Sequence, residues 1–139
     1  MLSKLLWDPY IDIDVVVDEF LEAYYGEAKG YVKQYLDYIH KVVEDDGRCF
    51  NLVISAADLF NNLISDDDLQ MLDGLWEDAK SATKGKTLEH VKRSELSHRW
   101  YKLNAGRSNE SDSDFNKDCI KLGVTRMSEG TNIPDVNPN

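Results

Sequence analysis

The chain has 139 residues, 42% of them hydrophobic and 30% charged, enough for one compact domain with its own core and too few for two comfortable ones. A net charge of −10 and a pI near 4.6 repel phosphate backbones and anionic lipid headgroups, which argues against nucleic acid and membrane surfaces as partners.

Helical spacing dominates from the N-terminus onward. After a turn at Asp8-Pro9, Asp12 or Asp14 is placed to cap a helix whose Ile13, Val16, Val17, Phe20, Leu21 and Tyr24 form one apolar stripe, ending near Gly26. A second helix is expected from about Glu27 to Asp45, burying Tyr31, Val32, Tyr35, Leu36, Ile39, Val42 and Val43, with its end marked by Asp46-Gly47. Residues 48 to 64 are ambiguous: the opening could be extended, while Ala56 to Leu63 suits a short helix.

Ser65 followed by Asp68 resembles a capping box and sets three carboxylates at the positive end of a helix dipole. Leu69, Leu72, Trp76 and Ala79 then repeat at helical spacing to about Thr83. Thr87 is the expected cap of the next helix, reaching about Asn104, with Leu96, Trp100 and Leu103 sharing a face with Val91 or its neighbours. Residues 106 to 114 form a polar loop, and Ser113 is the expected cap of a last helix through Leu122, stopped by Gly123. Pro134 and Pro138 break regular structure in the tail, which reads as extended. The expected fold is therefore all-α, an irregular bundle of about four or five helices with an extended C-terminal tail.

Residues 84 to 107 carry seven lysines and arginines against Glu89 and Glu95, a basic strip in an acidic chain. Matching to the acidic helices of the same molecule is the favoured reading of that strip. Cys49 and Cys119 are far apart and lack metal-ligand spacing, so free thiols are expected and their redox state stays open. No apolar run approaches a membrane span, and residues 1 to 20 lack the pattern of a signal peptide.

Few patterns point to chemistry. Glu95 and His98 make one E-x-x-H, half of a carboxylate-bridged metal motif, but no second half accompanies it, and a surface or capping role for His98 is favoured. The acidic pairs fall at predicted helix ends and on solvent faces, where they cap or solubilise rather than act as acid and base across a sugar. No nucleophile elbow, phosphate-binding glycine loop or dinucleotide fingerprint occurs, and no catalytic, cofactor-binding or metal-ligating residue is assigned. Tyr31, Tyr35 and Tyr38, at i, i+4 and i+7, could stack on sugars, although packing in the core or at an interface is favoured at such spacing. The same holds for Trp7, Trp76 and Trp100.

The text "SKLLWDPYIDIDVVVDEFLEAYYGEAKGYVKQYLDYIH" resembles a segment of a family of bacterial glycoside-hydrolase-like proteins, described as a domain of unknown function and akin to alpha-glucuronidases. Weaker similarity runs through "LWEDAKSAT", "VKRSELSHRWYKL" and "LGVTRMSEGTNIPD". Glu27 and Lys29 depart from the proline and small residues expected after "YYG", and the loop around residues 105 to 114 has no counterpart. The resemblance implies that residues 1 to 7 are the stub of the last helix of a missing TIM barrel, residues 8 to 123 a helical domain, and residues 124 to 139 its tail. It implies too that any catalytic carboxylates belong to the barrel and that a glycan is met through the parent, which is expected to be secreted, periplasmic or on the cell surface.

On that footing Leu2, Leu5, Leu6 and Trp7, with part of the tyrosine set, are expected to cover the flank of the barrel. The domain is then not an enzyme by itself and needs no cofactor. Two other readings stand beside it: a free-standing protein-interaction module using the same patch, and a carbohydrate-binding module built on Tyr31, Tyr35 and Tyr38.

Overall fold

The computed structural model describes residues 7–8, 10–47, 63–128 and 131–132. Leu2, Leu5, Leu6, Cys49 and the ambiguous stretch up to Asn62 lie outside them, as do residues 129–130 and 133–139 of the tail. The fold is an all-α bundle. Among the described residues it has five α-helices: α1 (Ile13–Tyr25), α2 (Lys29–Asp46), α3 (Asp66–Ser81), α4 (Gly85–Asn104) and α5 (Asp112–Lys121). Two short antiparallel strands follow, β1 (Arg126–Ser128) and β2 (Thr131–Asn132), with Arg126 opposite Asn132.

Local chemistry sets most of the boundaries. The Asp12 carboxylate accepts from the Asp14 N–H at 2.9 Å and opens α1, and Gly26, at φ +50°, closes it in a conformation that a side chain disfavours. A single 3-10 turn, Gly26–Ala28, leads directly into α2, and the fully buried Ala28 keeps that junction narrow. Gly47 ends α2 in the left-handed region. Ser65 opens α3, its Oγ accepting from the Asp68 N–H at 3.1 Å while donating to the Asp68 carboxylate at 2.6 Å.

Two expected caps are displaced. The helix α4 begins at Gly85, two residues before Thr87, with Lys84 at its cap position and no side-chain bond there. Ser111, rather than Ser113, caps α5, because its Oγ accepts from the Asp114 N–H at 3.1 Å. Ser111 and Asp114 stand three apart and repeat the arrangement of Ser65 and Asp68, whereas Ser113 is already inside the first turn.

Three apolar clusters hold the bundle. In the first, Leu21 and Tyr25 of α1, Ala28, Val32 of α2, Trp76 and Ala79 of α3, and Val91 of α4 meet. The second joins Ile64, Leu69 and Leu72 to Tyr101, with Tyr38, Ile39 and Val42 of α2 alongside. The third sets Phe115 and Cys119 of α5 on Leu96 of α4, flanked by Trp100 and Leu103. Thus α4 contributes to all three, and Val91 lies in a different cluster from Leu96 rather than on one shared stripe. A helix with neighbours on several sides carries its apolar residues around its circumference, which weakens any single-face pattern. Among the described residues no helix is long and apolar enough to cross a membrane.

Candidate functional site

The segment leading into α1 is shaped by aspartates. Asp8 accepts the Tyr10 N–H on its side chain at 3.1 Å and the Ile11 N–H on its carbonyl at 3.3 Å, and Asp12 then caps the helix. This turn leaves Trp7 92% and Tyr10 94% exposed. Within α1 the predicted stripe divides: Val16 and Leu21 are buried, Val17 and Tyr24 are half-buried, and Ile13 and Phe20 are exposed at 54% and 40%. Ile13 and Phe20, seven residues apart, stand two turns from each other along one edge of the helix. Along that strip Val17 between them is half-buried, and a third exposed apolar residue of α1, Val15 at 51%, lies on the opposite side of the helix.

Aromatic stacking makes the strip rigid at its C-terminal end. The Phe20 ring lies on Tyr24 with centroids 5.4 Å apart, and Tyr24 lies on His90 of α4 at 3.9 Å, within 5° of parallel. The Tyr24 carbonyl can only accept, so His90 Nδ1, 2.9 Å away, carries the proton. The Tyr25 hydroxyl meets Ser94 Oγ at 2.8 Å and ties α1 to the same helix.

A concavity of about 340 Å³ lies between α3 and α4 and is walled by charge, with Asp73, Lys80, Glu95, His98, Arg99 and Lys102 among its residues. Here the surface or capping role expected for His98 is corrected: Glu95 and His98 are both buried, because the face of α4 that carries them packs on α3. They turn to different partners. Glu95 accepts from Lys80 Nζ at 2.8 Å, while His98 Nε2 meets Asp73 Oδ1 at 2.8 Å. Asp73 accepts Lys102 Nζ on its other oxygen at 2.6 Å. Since a carboxylate only accepts, His98 donates from Nε2 and leaves Nδ1 facing the Tyr35 hydroxyl at 3.5 Å.

Burial pushes the His98 imidazole below its ordinary value, against the opposing pull of Asp73. Burial acts to raise the Asp73 carboxyl, yet Lys102 and His98 together hold it below the usual carboxylate range. The Tyr35 phenol is pushed up to about 12 by burial and by Tyr101, and the Tyr38 phenol to about 12 by burial and by Asp68. These phenols therefore stay protonated near neutrality. With both imidazole nitrogens engaged, the arrangement works as a charge-matching seam between helices rather than as an exposed nucleophile and base. Among the described residues no cluster of histidine, cysteine, aspartate and glutamate could hold a metal ion.

Three of the seven cations of the basic strip, Arg99, Lys102 and Arg107, are matched within the chain. Arg99 binds Glu110 and Asp118, Lys102 binds Asp73, and Arg107 reaches Asp66 at 2.7 Å as well as the Ile64 carbonyl at 2.8 Å. Tyr31, Tyr35 and Tyr38 are each half-buried and packed inward. Tyr31 lies on the first cluster, Tyr38 on the second, and the Tyr35 ring is set 4.9 Å from Trp76 and edge-on to His98 at 5.5 Å. They share a helix but not an open platform. Of the expected docking residues only Trp7 is described.

Residues 1–37 match the model of a family, Domain of unknown function (DUF4838). No curated protein and no solved structure matched the chain. The DUF4838 match spans Trp7, Tyr10, all of α1 and the start of α2, so Ile13, Val15 and Phe20 fall inside it too, whereas Tyr38 and the charged cleft fall outside. The weaker similarity expected beyond residue 40 has no counterpart in the match.

Sequence reasoning named Trp7 but missed Tyr10, Ile13 and Phe20 as surface residues. The available signal was the density of apolar residues in "IDIDVVV": Ile13, Val15, Val16 and Val17 cover more of the helix circumference than one buried face requires. For the pairing of Asp73 with His98, 25 residues apart, no local signal exists.

Proposed function

We propose that this chain is a non-catalytic helical domain of a glycoside-hydrolase-like, polysaccharide-degrading protein, and that it packs through the N-terminal edge of α1 against that protein's TIM barrel. The observation that carries the reading is the coincidence of two features over one segment: Trp7, Tyr10, Ile13 and Phe20 are exposed, and all four lie within the residues that match DUF4838. Five of the seven exposed large apolar side chains among the described residues, these four and Val15, fall in this one segment, and such clustering favours burial against another protein surface. The glycoside-hydrolase context comes from the resemblance of the opening text, and it assigns any catalytic carboxylates to the barrel.

The experiment is reconstitution in trans. The barrel region of a glycoside-hydrolase-like protein of this family and the present chain are expressed separately and mixed in a calorimeter. Saturable one-to-one binding is expected, together with loss of binding in the Ile13→Ser/Phe20→Ser double variant. Absence of heat with a folded barrel, or undiminished binding by the double variant, would end the docking reading. Hydrolysis of a chromogenic glycoside by the present chain alone is expected to stay at the buffer rate, and turnover above it would contradict the non-catalytic assignment.

A further inference from the structure

We propose that a recess between α4 and the C-terminal end of α5 is a binding site for a small tetrahedral dianion of the phosphate type. The recess, of about 180 Å³, is lined by Lys80, Lys92, Glu95, Arg99, Asp118 and Lys121, with Leu122 as an apolar wall. Lys92, Glu95 and Arg99 stand at i, i+3 and i+7 and share one face of α4, which packs on α5 and meets Asp118 and Lys121 there. Lys80 comes from the last turn of α3. Four cations thus face two carboxylates. Glu95 is answered by Lys80 at 2.8 Å and Asp118 by Arg99 at 2.8 Å, whereas Lys92 and Lys121 have no ion pair or hydrogen bond among the described residues. Glu77 and Glu110, the further partners of Lys80 and Arg99, line the neighbouring concavity and not this recess.

Uncompensated ammonium groups on one recess need a cause in a chain of net charge −10. The helix dipole accounts for part of one, since the C-terminus of α5 carries about half a negative charge. Its last carbonyls are already bonded, Asp118 to the Leu122 N–H, Ile120 to the Gly123 N–H and Cys119 to the Val124 N–H. Arg93 lies at the same end, because a methyl group on Gly123 would stand 3.8 Å from its Nη2. Lys92, Arg93 and Lys121 together exceed what half a charge requires. Arg99 is the fixed element: its Nε and Nη2 hold Glu110 and Asp118, its guanidinium carbon sits 5.5 Å from the centre of the Phe115 ring, and Nη1 makes no hydrogen bond among the described residues. An oriented guanidinium with open N–H groups, beside two lysines, matches a doubly charged oxyanion. The recess has room for about six waters at ~30 Å³ each, enough for one phosphate group. A long polyanion would also meet the acidic surface around it and be repelled.

The test titrates inorganic phosphate, O-phosphoserine as a phosphate monoester, and acetate as a monoanion into the full chain. The titrations are run at about pH 7.5, where the monoester is doubly charged, and at one ionic strength held with NaCl. Backbone amide NMR shifts are the readout. Phosphate or its monoester should give saturable shifts clustered at residues 92–99 and 118–123 and bind at least about tenfold tighter than acetate. Lys92→Gln/Lys121→Gln should weaken that binding at least about tenfold through the loss of two charge-assisted contacts. Lys84→Gln/Lys86→Gln removes the same charge from two exposed lysines without partners among the described residues and should change it by less than about twofold.

Monoester binding as tight as that of inorganic phosphate assigns the recess to an esterified phosphate, and weaker monoester binding assigns it to the free ion; both keep the proposal. Shifts that stay linear with every probe, acetate bound as tightly as phosphate, or equal losses in the two double variants would overturn it. The docking reading is independent of the outcome, because α4 and α5 lie outside the residues that match DUF4838.

Discussion

His98 is held by residues from three helices: Asp73 of α3 takes its Nε2 proton, Tyr35 of α2 faces Nδ1, and Lys102 grips the other Asp73 oxygen from one turn along α4. Burial keeps the imidazole neutral below its ordinary value of 6.5. An unfolded chain binds that proton at the ordinary value, so below it the unfolded state holds more protons than the folded one and stability falls with falling pH. Urea unfolding between about pH 7 and pH 5 should accordingly show the free energy dropping as acid is added, with a flatter dependence in His98→Gln. A profile identical in wild type and variant would mean that His98 does not resist protonation. Asp73, held below its ordinary 3.8, contributes stability above that value and loses it as the pH falls further, a second and separate decline. Replacing His98 by alanine, which strips Asp73 and Tyr35 of a buried partner, should cost about 1–3 kcal/mol at neutral pH.

The two serine-capped helices give a sharp comparison. Ser111→Ala should lower stability by about 1 kcal/mol, as Ser65→Ala should on α3, while Ser113→Ala should change it by less than about 0.5 kcal/mol. If Ser113→Ala proved the costlier of the two α5 variants, the cap would be misassigned. Helix identity was legible because each signal is local: Asp12 with Asp14, Ser65 with Asp68, and Gly26, Gly47 and Gly123 at positive φ all act within one turn. The start of α4 was not legible, because Lys84 caps nothing and Gly85 opens the helix at φ +57° while the threonine that suggested a cap sits inside it. Nor was the charged cleft, since Glu95 and His98 look like surface residues until α3 is packed over them and supplies Lys80 and Asp73. Local chemistry fixes where helices run; which of their polar residues end up inside depends on neighbours that periodicity does not name.

Seen across the bundle, α1 has two edges with different fates. Leu21 is 1% exposed in the central cluster and Phe115 plays the same part for α5, whereas Ile13 and Phe20 reach solvent from the same helix as Leu21. If the inner edge supplies the stability and the outer edge is kept for a partner, substitutions along α1 should divide by edge rather than by hydrophobicity. Leu21→Ala leaves a cavity between α1, α3 and α4 and should cost about 2–5 kcal/mol. Ile13→Ser/Phe20→Ser removes partly exposed apolar area and the contacts of the Phe20 ring with Tyr24 and Tyr25, so it should cost about 1–2 kcal/mol, less than Leu21→Ala, and leave the helical circular dichroism unchanged. Thermal or urea unfolding of the two variants decides the matter. A double variant as damaging as Leu21→Ala would make Ile13 and Phe20 structural members of this domain's own core, and the surface on which the docking reading stands would be gone. The expected separation, a large loss from one inner residue and a small one from two outer residues, is what distinguishes an interface edge from a stripe that merely packs poorly.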